Sequence, residues 1–318
     1  MSPRPTSRPI SWQSRLVHLL VRSRMRPHAH GPIDPAWVRA EMGRPRGARR
    51  WMARLTGARS AWHAATAGWP GGERVDWPGA ATDAPVLLYL HGGGYIACSP
   101  ETHRPLVSTL VRRVRGRAFV PRYRLAPEHP FPAALDDAKA AYRYLLDEQG
   151  VAPSQLIVAG DSAGGGLALA LTLAVRDAGW PLPAGVVAFS PWTDLAATGR
   201  SLDENTERCA MFAGDTIRRA ARFYVGDADP TLPMLSPLYG DFRGLPPMLV
   251  HASEDEVLRD DAIRVAAAAR AAGVSVELDL WPHVPHVWQF FSTVLPEARA
   301  SLDAVTRFIH ARTAAGAP

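Results

Sequence analysis

The chain has 318 residues, 47% hydrophobic and 21% charged, enough for one large α/β domain or two smaller ones with a sizeable core. The net charge of +6 is unevenly placed: residues 1–50 hold 11 Arg against Asp34 and Glu41, whereas the rest holds 25 basic and 28 acidic groups. A body at −3 below an arm at +9 argues against a nucleic-acid-binding surface on the part of the chain that carries chemistry.

In chain order, residues 1–60 form an N-terminal arm. Trp12, Leu16, Leu19 and Leu20 recur at helical spacing, and a second segment covers Pro35 to Met42. Six of the ten tryptophans precede residue 80, so the arm is expected to pack on the body as part of a cap. From residue 86 short apolar runs alternate with helical stretches. The runs are 86–90, 118–121, 156–160, 186–190, 248–253 and 276–281, and the helical patterns are 106–114, 133–148, 164–176, 262–272 and 296–311. That alternation predicts an α/β fold with a mostly parallel central sheet flanked by helices. The stretch 194–235 breaks the rhythm, with a helical piece at 216–224 and no strand, and predicts a cap insertion over a body spanning 80–312.

Cys98 and Cys209 are too few for a disulfide framework and fit a reducing compartment. The early apolar run 16–21 is interrupted by His18 and flanked by arginines, unlike a secretory signal. No run approaches the ~18 apolar residues of a membrane span. The expectation is a cytoplasmic protein with no stable membrane insertion and no nucleic-acid partner.

Two glycine-rich stretches carry the chemistry. Gly160-Asp161-Ser162-Ala163-Gly164 sits between an apolar strand and an apolar helix, where a sharp turn lifts a serine hydroxyl above the sheet. His91-Gly92-Gly93-Gly94 follows another strand, where three glycines allow a backbone to approach a substrate closely. Backbone N–H groups of Gly92, Gly93 and Ala163 are the candidate oxyanion donors, and His91 is read as shaping the loop. A nucleophilic serine needs a base and an orienting acid. Strand 248–253 delivers Glu254, Asp255 and Glu256 to its end, and strand 276–281 delivers His283 and His286. Both sets of alternatives stay open on spacing alone. The two histidines have no third partner at metal-ligand spacing, so no metal is expected. Asp136, Asp137, Asp260 and Asp261 are read as helix caps or loop ties.

HGGGY at 91–95, YRLAPEHPFPAALDDA at 123–138, GDSAGGGLA at 160–168, SPWTDL at 190–195, EVLRDD at 256–261 and PHVW at 285–288 occur in that order. The chain thereby resembles the bacterial hormone-sensitive-lipase-like esterases, family IV of the lipolytic enzymes, over about residues 80–312. The resemblance implies an α/β-hydrolase fold and a serine carboxylesterase acting on short-chain acyl esters through an acyl-enzyme, without cofactor. It implies Ser162 as nucleophile and His286, followed by Val287-Trp288, as base. The family's acid motif begins with aspartate; the matching position here is Glu256, with Asp255 one residue earlier as the rival. The motifs also resemble a subgroup of acetyl-hydrolases and monoterpene lactone hydrolases. A deacetylase or lactone hydrolase acting on a secondary metabolite is therefore an alternative. A non-hydrolytic binding protein on the same fold would show a gap in the triad, and none is visible. A small-molecule ester is the expected partner, with a homodimer as an option. Cys98, just after the oxyanion loop, is expected near the site without a catalytic role, and Met211, Phe212, Phe223 and Tyr224 are expected to cover a pocket.

Overall fold

The computed structural model describes residues 9–29, 31–43, 56–66 and 68–314. Each apolar run forms a strand: β3 (Val86–Leu90), β4 (Arg117–Pro121), β5 (Leu156–Asp161), β6 (Gly185–Phe189), β7 (Met248–Ser253) and β8 (Val276–Trp281). β3, β5, β6 and β7 are buried along their whole length, which is why they read as continuous apolar runs rather than alternating ones. They pair in parallel in the order β4-β3-β5-β6-β7-β8.

Two strands complete the eight-stranded sheet at one edge. β1 (Arg59–His63) pairs antiparallel with β2 (Gly72–Asp76), and β2 pairs antiparallel with β4. Neither was anticipated. RSAWH is almost entirely exposed and GERVD carries three charged residues among five, so neither presents the apolar signal of a central strand. The arm boundary expected at residue 60 consequently falls inside β1.

Helices cover both faces. α3 (Pro100–Val114) and α9 (Pro296–Ala314) share one layer, joining Leu106, Val107 and Leu110 to Leu302, Val305 and Ile309. On the other face α4 (Ala133–Asp147), α5 (Ala163–Asp177) and α8 (Arg259–Ala271) pack through residues such as Tyr142, Leu167 and Val265. α3 starts six residues before the predicted 106, at Pro100. Ser99 and Thr102 form its capping box and Pro100 occupies the first turn. Pro105, inside the helix, removes one N–H from the ladder and masked the true start.

The 194–235 stretch holds α6 (Ser201–Glu204) and α7 (Gly214–Val225) and, among the described residues, no strand. In the arm, α1 (Trp12–Met25) buries Val17 against Trp281, Val284, Trp288 and Leu295. α2 (Pro35–Gly43) is tied down by Arg39, which donates to the carbonyls of Ile96 and Ala126 at 2.7 Å each and pairs with Glu128. No helix of the described residues is long and apolar enough to cross a membrane.

Candidate active site

Ser162 occupies the single residue between β5 and α5, with φ 54° and ψ −124°. A non-glycine residue there carries strain of roughly 1–3 kcal/mol, held in place by its surroundings. Its N–H donates to the Phe189 carbonyl at 2.8 Å, and its own carbonyl accepts from Trp192 N at 2.9 Å. The flanking glycines are steric necessities: a Cβ on Gly160 would lie 2.2 Å from the Gly164 carbonyl oxygen, and one on Gly164 2.1 Å from that of Leu90.

The loops after β7 and β8 bring a carboxylate and a histidine together. Glu256 Oε2 accepts from His286 Nδ1 at 2.5 Å, while Oε1 accepts from Ser253 N at 2.7 Å. Both side chains are almost fully buried. Anchoring one oxygen to the backbone fixes the other toward the imidazole, so the additional methylene of glutamate is absorbed by the loop. The loop itself is held by Asn205, whose Nδ2 donates to the carbonyls of Glu254 and Glu256 at 2.9 Å each. His286 Nε2 is buried and, among the described residues, has no hydrogen-bond partner, Ser162 included. Such a bond is often long before substrate binds. Phe212 from the 194–235 stretch stands edge-on to the His286 ring, centroids 5.3 Å apart.

Asp255 and His283 meet each other instead. Asp255 pairs with Arg208, and His283 Nδ1 lies 3.6 Å from Asp255 Oδ2. The His283 ring stacks on His18 of α1 at 4.5 Å. The two histidines three apart thus face different partners.

The His91–Gly94 loop differs from expectation at one position. The N–H of Gly92 points inward, 3.1 Å from Asp161 Oδ1 and 3.2 Å from His103 Nε2, and is therefore committed to the fold rather than open to a substrate. Gly93 (φ 120°) and Gly94 (φ 62°) follow in conformations that favour glycine, and a Cβ on Gly93 would lie 2.2 Å from the Ala97 carbonyl oxygen. It would also meet Cys98, which places that thiol-bearing residue against the loop. Ala163, first residue of α5, has an N–H that no helical carbonyl can reach.

His91 shapes this loop, as expected. Its Nδ1 is 2.8 Å from the Gly92 carbonyl, its ring stacks on Tyr123 at 4.2 Å, and the Tyr123 hydroxyl donates to its carbonyl at 2.6 Å. Burial, aided by the nearby His103, pushes His91 down to about 3, so it is neutral at physiological pH. Asp161 is the hub that sequence reasoning missed. It also accepts from the Tyr89 hydroxyl at 2.8 Å and contacts His103 Nε2 at 3.2 Å. Burial works to raise its pKa, but the charge and hydrogen bond of His103 and the Tyr89 bond outweigh it, and Asp161 stays below the usual carboxylate range. Nothing local in the sequence marks His103, which lies 58 positions from Asp161. Other acids serve as loop ties: Asp137 accepts from Arg124 N at 2.7 Å, Asp260 from Ser201 N at 3.0 Å, and Asp261 from Thr193 N and Asp194 N at 2.7 and 2.9 Å.

A mostly parallel sheet with a strained strand–turn–helix serine, a buried histidine–carboxylate pair and a glycine loop defines a hydrolase class. A family model described as the alpha/beta hydrolase fold matches residues 87–290. An acetyl-hydrolase of Streptomyces hygroscopicus is 45% identical over 237 residues, covering 74% of this chain and 79% of that protein. An esterase of Acinetobacter venetianus is 35% identical over 238 residues, covering 74% and 78%. A crystal structure of an esterase from the bacterial hormone-sensitive lipase family superimposes with a TM-score of 0.83 at 36% identity, covering 96% of this chain and 100% of the other. A hormone-sensitive lipase from a metagenome library gives a TM-score of 0.85 at 36% identity, covering 94% and 98%. The chain belongs to the alpha/beta hydrolase fold family, among the bacterial hormone-sensitive-lipase-like esterases, and is an ester hydrolase.

Proposed function

We propose that Ser162, His286 and Glu256 form a catalytic triad that hydrolyses short-chain acyl esters. The observation that carries this reading is the His286–Glu256 hydrogen bond at 2.5 Å, which leaves the opposite imidazole nitrogen without a partner. Nε2 takes the Ser162 proton as Oγ attacks the ester carbonyl. The tetrahedral oxyanion is received by the N–H groups of Gly93, Gly94 and Ala163, Gly94 standing where Gly92 was expected. The C–O bond of the ester then breaks, the alcohol leaves with the proton from His286, and an acyl-Ser162 remains. Water, deprotonated by the same nitrogen, attacks the acyl carbon and releases the carboxylic acid. Glu256 keeps Nδ1 protonated and Nε2 free to accept.

Acetylated small molecules are the favoured substrates within this class. Phe212 against His286 restricts the space beside the nucleophile, and the acetyl-hydrolase relative at 45% identity supports a small acyl group. The arm and the 194–235 stretch act together as the cap: Arg26 of the arm donates to the Phe212 carbonyl at 3.3 Å and so fixes the segment that carries that ring.

The test is hydrolysis of p-nitrophenyl acetate, butyrate and decanoate by four proteins. Ser162→Ala and Glu256→Gln are predicted to lower kcat by roughly 10³-fold or more, from the size of triad deletions elsewhere. Asp255→Asn should stay within about threefold of wild type, since its carboxylate is not in the proton path. The acetate should be turned over fastest. A crippled Asp255→Asn beside an active Glu256→Gln would sink the assignment of the acid.

A further inference from the structure

α1 is apolar on two opposite sides, and only one of them is used. Ser14, Val17 and His18 face the body and are buried. Trp12, Leu16, Leu19 and Leu20, spaced i, i+4, i+7 and i+8, line the other side and are 70%, 45%, 62% and 58% exposed. Among the described residues nothing covers this stripe. Helical geometry puts Arg15 and Arg22 along one border and Gln13 and Arg24 along the other. Arg22 and Arg24 are paired with Glu207 and Glu41, whereas Arg15 has no ion-pair partner among the described residues. Ile10, also exposed, extends the apolar surface beyond the helix start.

We infer that this face of α1 docks the enzyme on the surface of an anionic lipid bilayer. A helix with an exposed apolar stripe bordered by arginines lies in the plane of such an interface, its leucines and tryptophan in the acyl boundary and its guanidinium groups among the phosphates. Charge selects this occupant over a second copy of the chain. Pairing two stripes would bring together two helices that each carry Arg15, Arg22 and Arg24 and no acidic residue of their own. The position of the helix ties docking to the site. Ser14 Oγ donates to the His283 carbonyl at 2.5 Å and His18 stacks on the His283 ring, so α1 rests on the loop that carries His286. Docking therefore holds that loop close to the lipid phase, from which apolar esters would partition.

The test uses the full chain and sedimentation with vesicles, one set of phosphatidylcholine alone and one of phosphatidylcholine and phosphatidylglycerol in equal parts. Wild type is expected to sediment with the anionic vesicles at low salt, to be released by high salt and to bind the neutral set at least tenfold more weakly. The combined substitution Leu16→Ser, Leu19→Ser and Leu20→Ser should cut binding at least tenfold, while turnover of soluble p-nitrophenyl acetate stays unchanged. Because the three leucines face solvent, unchanged turnover also reports an intact fold. Wild type remaining in the supernatant with anionic vesicles overturns the inference. So does equal sedimentation of the variant, or light scattering that shows a dimer which the substitution dissociates.

Discussion

At the scale of single residues the glycine loop after β3 is under tight steric constraint. Gly93 combines a φ of 120° with a missing Cβ that would sit 2.2 Å from the Ala97 carbonyl oxygen, so two separate constraints meet at one position. Gly93→Ala is predicted to displace the loop and lower kcat by about 10²–10³-fold, the size of one lost oxyanion donor, with a smaller effect on KM. Steady-state kinetics on a soluble acetate ester check this; an unaltered kcat would remove Gly93 from the loop's function. Three consecutive glycines are legible as a loop that something approaches, and that much follows from residue chemistry. Which N–H points outward is not legible, because it depends on Asp161 and His103 claiming the first of them from distant parts of the chain. The choice between Glu256 and Asp255 has the same character. It turns on Ser253 N, which anchors Glu256, and on Arg208, which holds Asp255, and neither partner is visible in a run of three acids.

Elements carry the site on loops whose positions depend on side chains from elsewhere. Asn205, at the end of α6, spends both Nδ2 bonds on the carbonyls of Glu254 and Glu256. Asn205→Ala would take a donor from the part-buried Glu254 carbonyl and one from the Glu256 carbonyl, which keeps Arg259 N at 3.2 Å, and we predict a total loss of roughly 1–3 kcal/mol. Urea titration reads the stability loss, and kcat should fall alongside it because the loop bearing the carboxylate loosens. A variant as stable and active as wild type would show that the loop holds itself. The parallel strands and most helices of this framework were legible because burial on both faces writes itself as apolar runs. The antiparallel pair β1–β2 was not: β1 is an exposed edge strand, and β2, mostly buried yet rich in charged residues, is fixed by long-range pairing with β4 rather than by its own composition.

Across the whole molecule, buried ionisable groups set opposite limits on the pH range of stability. His91 is held at about 3 by burial, below its ordinary 6.5, and burial lowers His18 in the same direction. Their neutral forms are favoured by folding, so their contribution is complete above about pH 6.5 and is lost as pH falls toward 3. Asp261 is shifted the other way. Burial, with help from the neighbouring Asp194, raises it from 3.8 to about 8, even against two backbone N–H bonds. An acid so raised favours folding most below its unfolded value, and this contribution declines until pH passes the folded one. Melting temperature is therefore predicted to fall on both sides of a maximum in the weakly acidic range. Asp261→Asn keeps an acceptor for Thr193 and Asp194 and removes the titration, so it should flatten the alkaline side. An unchanged alkaline slope in that variant would assign the decline to another group.

Ser11, which caps α1, bonds both oxygens of Glu297 at 2.9 Å each across 286 positions of chain. The helix thus emerges from the ribosome long before its seat has been translated. At roughly 5–20 residues per second the interval is about 15–60 s, during which the Val17 side of α1 lacks its native cover. Synthesis of this enzyme accordingly passes through a nascent chain in which α1 exposes apolar side chains. Any truncated product that stops short of Trp281 keeps Val17 and His18 permanently without their native seat.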